Sequence, residues 1–112
     1  MDEAILVQAW LDYEKSLGLE EGINCCQVSH WVLSRLNRGQ LYGYFSTENP
    51  SARVGQVEGG HRFLLVDDFI VDFWWRDFYE VDFPLYLKKD TPLAKELYGD
   101  PNCWTLVPHS HQ

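Results

Sequence analysis

The N-terminal part of the chain carries apolar side chains at the spacing of an amphipathic helix. Over residues 2–17 they recur every three or four positions, and Asp2 and Glu3 lie in the first turn, where the helix dipole favours negative charge. Gly18 is a suitable end for this segment. The pattern predicts a first helix whose apolar stripe consists of Ile5, Leu6, Ala9, Trp10, Tyr13 and Leu17.

A second helix is predicted after the linker LEEGI. Asn24 is a good N-cap residue, and Arg38 followed by Gly39 is typical of a helix C-terminus. Between them, apolar positions recur with helical spacing at Cys25, Val28, Val32 and Leu36.

From Gln40 onward the pattern changes to the short apolar runs of β-strands. A short helix is predicted near the end, with Thr91 as N-cap and Pro92 at its first position, and the terminal PHSHQ is predicted to fray. Helices followed by mostly antiparallel strands indicate an α+β fold, with N-terminal helices packed on a small, mostly antiparallel sheet. The predicted strands cover residues 41–45, 52–58, 61–66, 69–75 and 103–107, the second being the weakest.

The two longest strand patterns are separated only by Asp67 and Asp68, which predicts a hairpin with a two-residue loop. Side chains alternate between the faces of a strand, and directly opposed residues share a face. In this register His61 pairs with Trp74, and His61, Asp72 and Trp74 point to one side, with His61 and Asp72 as diagonal neighbours. A three-residue loop would send His61 and Asp72 to opposite faces.

Composition and length favour one ordered domain. The chain has 112 residues, of which 46% are hydrophobic and 15% aromatic, far from the composition of disordered segments. No repeat, low-complexity tract or linker divides it, so residues 1–112 are predicted to form a single domain.

The net charge of −8 narrows the classes of partner. With 17 acidic and 9 basic side chains, the chain would be repelled by a nucleic-acid backbone or an anionic membrane surface. No apolar run is long enough for a membrane span, and the acidic N-terminus is unlike a signal peptide. We therefore expect neither nucleic acid nor membrane as a partner.

The three cysteines indicate reduced thiols, because an odd number with two adjacent residues does not suit a disulfide framework. Reduced thiols and the absence of a signal peptide pattern predict a cytoplasmic protein; export as an effector by another route is the alternative.

A thiol at a helix N-terminus gains thiolate character from the helix dipole, and the free amides there can stabilise an oxyanion. Cys25 and Cys26 both qualify by position. Cys25 continues the apolar stripe toward the sheet, whereas Cys26 is turned by about 100° around the helix. Cys25 is therefore the predicted nucleophile and Cys26 the alternative. Cys103, near the chain end, is predicted to be structural.

A metal site is an alternative interpretation of the cysteines and histidines. Cys26 and His30 have the C-x3-H spacing of zinc ligands, and further ligands could come from His61, Cys103, His109 and His111. The remaining ligands have no motif spacing, and the chain has no phosphate-binding or dinucleotide-binding motif. We expect no metal and no cofactor.

Cysteine, histidine and aspartate in this order resemble the papain-like and transglutaminase-like thiol enzymes. The matching pieces are Asn24-Cys25 with Ser29, Gly60-His61 before an apolar run, and Val71-Asp72. The chain is most similar to the small bacterial papain-fold toxin or glutamine-deamidase group.

The resemblance implies a role for each of the three residues. Cys25 would attack an amide carbon, His61 would move the proton, and Asp72 would hold the His61 tautomer. An upstream oxyanion glutamine is missing, since Gln8 lies within the first predicted helix, so the amides of Cys25 and Cys26, helped by Asn24, would serve.

Two functional hypotheses follow. The first is a thiol-dependent hydrolase or acyl transferase, a peptidase or a glutamine-deamidase-like enzyme, acting on a protein or peptide amide through Cys25, His61 and Asp72. The alternative is a non-catalytic acidic module of accessory or immunity type that has the same fold and holds a basic partner protein.

Overall fold

A computed structural model describes residues 1–108 as four α-helices and a five-stranded antiparallel sheet, which confirms the α+β class. The tail residues 109–112, which include His109 and His111 and most of the segment predicted to fray, lie outside the described residues. No helix within residues 1–108 is long and apolar enough to cross a membrane.

The N-terminal helices follow the predicted pattern closely. Helix α1 spans Glu3–Glu14 and is capped by the Asp2 carboxylate, which accepts hydrogen bonds from the first-turn amides. A 3₁₀ turn, Leu17–Leu19, follows it, so the helix ends before the predicted Gly18 and this glycine lies within the turn. Helix α2 spans Cys25–Leu36, with Asn24 as N-cap.

The C-terminus of α2 differs slightly from the prediction. Asn37, not Gly39, takes the left-handed conformation that ends the helix, with φ of 55°. Asparagine tolerates this conformation because its short polar side chain can bond locally. The helix therefore stops two residues early.

The sheet has the strand order β4-β3-β2-β1-β5. Strand β1 pairs with β2 from Gln40↔Leu65 to Phe45↔Gly60, and β2 pairs with β3 in the two-residue-loop register Val66↔Phe69. Asp67 adopts φ of 55° to make this tight loop. The strands are β1 Gln40–Phe45, β2 Gly60–Val66, β3 Phe69–Val71, β4 Leu87–Lys88 and β5 Thr105–Leu106.

Strand β2 lies at the centre of the core. Helix α2 packs against it, and the Phe63 ring contacts Tyr98 from helix α4, which spans Pro92–Tyr98. Four successive β2 residues, Phe63 to Val66, are buried, so both faces of the strand are covered. Thr91 caps α4 with Pro92 at its first position, as predicted.

Three predicted strands need correction. Residues 52–58 contain no strand: residues 54–58 form turns, and Gly55 has φ of +88°, which an extended strand does not use. The run 69–75 is a strand only to Val71, because Asp72 caps helix α3, Phe73–Phe78. The last strand is limited to Thr105–Leu106, and Cys103 ends a 3₁₀ turn, Pro101–Cys103.

Candidate active site

The start of α2 is fixed by a reciprocal pair of hydrogen bonds. The Gln27 backbone N–H donates to Asn24 Oδ1 at 2.9 Å, and the Asn24 N–H donates to Gln27 Oε1 at 2.9 Å. This capping box holds the first turn, which carries Cys25 and Cys26, at one place over the sheet. Both cysteines are partly buried.

His61 and Asp72 lie side by side in the interior. His61 belongs to β2 and Asp72 follows β3, so the hairpin joins them; His61 Nε2 lies 2.7 Å from Asp72 Oδ2. Their residues are only 3% and 4% exposed. Asp72 Oδ1 also accepts the Trp75 backbone N–H at 3.1 Å, because Asp72 is the N-cap of α3. The carboxylate is thus held from two sides.

The predicted pairing of His61 with Trp74 is wrong, because the chain has turned into α3 by that point. The two side chains nevertheless meet, with ring centroids 5.1 Å apart. The turn into the helix brings the indole back over the imidazole.

Tyr98 is a site residue that the sequence did not reveal. Its hydroxyl donates to Asp72 Oδ2 at 2.6 Å, and this is the oxygen that also faces His61 Nε2. Burial, followed by the charge of Asp72 and this hydrogen bond, raises the pKa of Tyr98 well above its ordinary value, so the hydroxyl stays a donor.

Cys25 is a further neighbour of the His61 side chain. His61 Nδ1 is buried and makes no well-aligned hydrogen bond within residues 1–108, and the Cys25 thiol is close enough to interact with the ring. Burial raises the pKa of Cys25, but the adjacent His61 side chain and its charge, with the Arg62 backbone N–H, lower this pKa to a net value below that of an ordinary thiol.

The pKa of His61 is shifted in the direction opposite to that of Cys25. Burial lowers the pKa of His61, but the charge of Asp72 and its hydrogen bond outweigh burial, and together with Cys25 they raise the pKa to about 9. A raised imidazole pKa beside a lowered thiol pKa favours an imidazolium–thiolate pair near neutral pH.

Cys26 has the opposite environment. Burial and then the charge of Cys25 raise the pKa of Cys26, although Arg62 acts against the shift. At a pH at which Cys25 is ionised, the Cys26 thiol is therefore still protonated. Of the two adjacent cysteines, Cys25 is the one whose surroundings favour the thiolate.

No family model, curated protein or solved structure matches the chain. The case for a function therefore rests on the chemistry of the site.

A cleft of about 620 Å³ opens over the two thiols. At its base, the backbone N–H groups of Cys25 and Cys26 have no acceptor within the described part of the chain, as expected for the first turn of a helix. Asn24 also lines the cleft, although its Oδ1 is occupied by the capping box. These N–H groups are free to donate hydrogen bonds to a substrate oxygen that carries negative charge.

The candidate zinc ligands within residues 1–108 are not grouped around one point. The His30 ring Nδ1 lies 2.9 Å from the Cys26 carbonyl oxygen, one helical turn away. Across residues 1–108, no three His, Cys, Asp or Glu side chains are grouped to hold a metal ion. His109 and His111 lie outside those residues.

Proposed function

We propose that this protein is a thiol-dependent enzyme that hydrolyses or transfers an amide acyl group through Cys25, His61 and Asp72. The observation that carries the proposal is the position of His61, whose Nε2 lies 2.7 Å from Asp72 Oδ2 and whose buried side chain also interacts with Cys25, a thiol of lowered pKa. Nucleophile, base and orienting carboxylate in hydrogen-bonding order are the signature of covalent catalysis.

The chemistry starts from the ion pair. The Cys25 thiolate adds to the amide carbon, and the free amides of Cys25 and Cys26 stabilise the oxyanion. The His61 imidazolium then protonates the nitrogen as the C–N bond breaks, releasing ammonia or an amine and leaving a thioester. Neutral His61 next takes a proton from water or an acceptor amine, which attacks the thioester and restores the thiolate.

The resemblance to papain-like and transglutaminase-like enzymes, including the small toxin and glutamine-deamidase group, supports this chemistry. It rests on the order of Cys25, His61 and Asp72 along the chain and on the capped helix that begins at the cysteine. On this proposal the substrate is a protein or peptide amide.

The first test measures thiol reactivity without a substrate. Iodoacetamide labelling at about pH 6, followed by mass spectrometry of each cysteine, should modify Cys25 about tenfold faster than a free thiol, because the gain in thiolate is partly offset by lower intrinsic nucleophilicity. His61→Gln should abolish this advantage. Cys26 in the same sample is the internal control, and a thermal melt checks that the variant is folded.

The alternative is the non-catalytic acidic module, which the net charge of −8 favours. It predicts slow labelling of Cys25 that His61→Gln does not change, and this result would overturn the enzyme proposal. If labelling is fast, a screen of peptide and glutamine amides for released ammonia and released amine separates deamidase from peptidase activity.

A further inference from the structure

The cleft over Cys25 carries charges that the rest of the fold does not neutralise. Glu48 and Glu58 line it together with Arg62, and all three side chains belong to exposed residues. Elsewhere on the surface the arginines at positions 35, 38 and 53 and Lys89 each pair with a carboxylate. Within residues 1–108, neither cleft glutamate has a salt-bridge partner.

Both glutamates are held in place by neutral donors. Glu48 Oε1 accepts the Phe45 backbone N–H at 3.2 Å, and Glu58 accepts the Tyr79 hydroxyl. A carboxylate that is positioned by neutral hydrogen bonds keeps its full negative charge. Its unused acceptor positions are available to a cation entering the cleft.

The positive charge of Arg62 lies near the two thiols. Arg62 interacts with the Cys26 thiol, and its backbone N–H faces Cys25. The cleft is therefore electrically polar: a cation lies near the sulfur and two carboxylates lie on the lining contributed by the loop between β1 and β2. A cationic group on the substrate residue beside the reacting one would meet the two carboxylates.

Apolar surface accompanies the two carboxylates. Phe45 is 69% exposed and Leu106 51% exposed, and both line the cleft. Such surface suits the aliphatic stem of a lysine or arginine, which can pack on apolar groups while its charged end reaches a carboxylate. A short anionic or purely polar side chain would gain neither contact.

A second observation points to a ligand at this cleft. His61 also lines it, its side chain is buried, and its Nδ1 is left without a well-aligned partner in the described chain. The leaving nitrogen of a bound amide would supply that partner. The reacting group and the charged rim thus belong to one binding site.

We propose that the cleft selects amide substrates bearing a positive charge beside the reacting amide, a basic peptide, with Glu48 and Glu58 as the residues that determine this specificity. The inference rests on the proposed function for its chemistry. Its electrostatic part concerns the cleft alone and is measurable whether or not the thiol is activated.

The experiment uses methanethiosulfonate reagents of different charge on the full chain with Cys26→Ala and Cys103→Ala. A trimethylammonium-ethyl reagent is cationic, a sulfonatoethyl reagent is anionic, and the methyl reagent is neutral. Each converts Cys25 to a mixed disulfide and releases methanesulfinate. Rates are measured at about pH 6 and again at about pH 9, where ordinary thiols ionise appreciably, and are divided by those of a small neutral thiol.

The proposal predicts that Glu48 and Glu58 raise the cation-to-anion rate ratio above the value that Arg62 and the His61 imidazolium would set without them. Glu48→Gln and Glu58→Gln should each lower the ratio about sixfold, since a unit charge about 8 Å away in water alters the local concentration of each reagent about 2.4-fold, in opposite directions for the two reagents. Glu14→Gln, an equal charge change on the exposed end of α1, is the matched control and should leave the ratio unchanged. High salt should reduce the preference.

The outcomes separate the two proposals. Slow reaction of Cys25 with all three reagents at about pH 6 counts against the enzyme, and the ratio at about pH 9 still tests the cleft. A ratio that Glu48→Gln and Glu58→Gln leave unchanged, or one that responds equally to Glu14→Gln, overturns the specificity proposal. In the substrate arm, peptide amides differing only in Arg, Ala or Glu beside the reacting residue should rank in that order in kcat/KM; no preference for Arg also overturns it.

Discussion

His61 is the residue on which the site depends, because its side chain interacts with both the Asp72 carboxylate and the Cys25 thiol. Burial alone would favour the neutral imidazole. The charge of Asp72 outweighs burial, and the pKa of His61 is raised to about 9. Asp72 in turn has three donors around it, from His61, Tyr98 and the Trp75 amide. The protonated imidazole is therefore maintained by a buried and well-bonded carboxylate.

This electrostatic arrangement predicts a specific pH dependence. The leaving nitrogen needs the imidazolium proton, so kcat/KM for an amide should fall as the pH rises through about 9, where His61 loses its proton. Iodoacetamide labelling needs only the thiolate and should not fall there. Both rates are measured over the same buffers. An amide rate that rises through this range would contradict the assigned role of His61.

Tyr98 is expected to tune His61 through Asp72. Tyr98→Phe removes the hydroxyl that donates to Asp72 Oδ2, which should lower the free energy of unfolding by about 1.5–3 kcal/mol, as for a hydrogen bond to a charged group. The carboxylate left with one fewer donor attracts the imidazolium more strongly. The alkaline limit of kcat/KM should therefore move to higher pH, as a pH–rate profile measures.

The matched control for Tyr98 is Tyr44. Its hydroxyl is also buried, but it donates to the Val54 carbonyl at 2.7 Å and not to Asp72. Tyr44→Phe should cost stability without moving the alkaline limit. If the two variants give the same pH profile, Tyr98 has only a structural role.

The individual residues of the site differ in how far the sequence reveals them. His61 and Asp72 could be placed together because the two-residue loop fixes the register of a local hairpin. Tyr98 could not, since it lies 26 residues from Asp72 and its pattern is that of an ordinary buried aromatic in a short helix. The contrast between Cys25 and Cys26 likewise depends on tertiary contacts with His61 and Arg62.

At the scale of the elements, capped helix termini were the most predictable features. Asn24 and Thr91 both cap helices as expected, because a side chain that accepts from nearby amides is a local signal. The prediction that residues 69–75 form one strand was wrong, because the β-branched and aromatic residues of this run favour a strand along its whole length. There Asp72 provides both the cap of α3 and the partner of His61, a double role that periodicity does not express.

The cap of α2 should matter for reactivity as well as for stability. Asn24→Ala removes the acceptor of the Gln27 amide and should lower the free energy of unfolding by about 1 kcal/mol. Because the same cap fixes the first turn that carries Cys25, labelling of Cys25 at about pH 6 should also slow. Urea denaturation and labelling are measured on the same preparation.

Thr91→Ala is the matched control for the Asn24 variant. Thr91 Oγ1 accepts the Ala94 amide at 3.3 Å at the start of α4, so its loss should cost comparable stability. The labelling rate of Cys25 should stay that of the parent protein. Equal slowing in both variants would mean that general destabilisation, and not the position of the first turn, controls the thiol.

At the scale of the whole molecule, the excess of negative charge acts against folding. The surface pairs, such as Arg38 with Asp67 at 2.8 Å, are exposed, and pairs of this kind contribute little. With 17 acidic and 9 basic side chains, many carboxylates remain without a cation. Their mutual repulsion is relieved when the chain unfolds and the charges separate.

Added salt should therefore stabilise the protein. Raising the ionic strength from about 0.01 M to about 0.15 M shortens the screening length from about 30 Å to about 8 Å, within the size of the domain, and should raise the free energy of unfolding by on the order of 1 kcal/mol. Urea midpoints at increasing NaCl measure this. Glu20 and Glu21 are exposed neighbours. The double variant Glu20→Gln, Glu21→Gln should be more stable than the parent protein at low salt, and its urea midpoint should rise less with NaCl. A midpoint that falls with salt would instead show that the paired charges outweigh the unpaired ones.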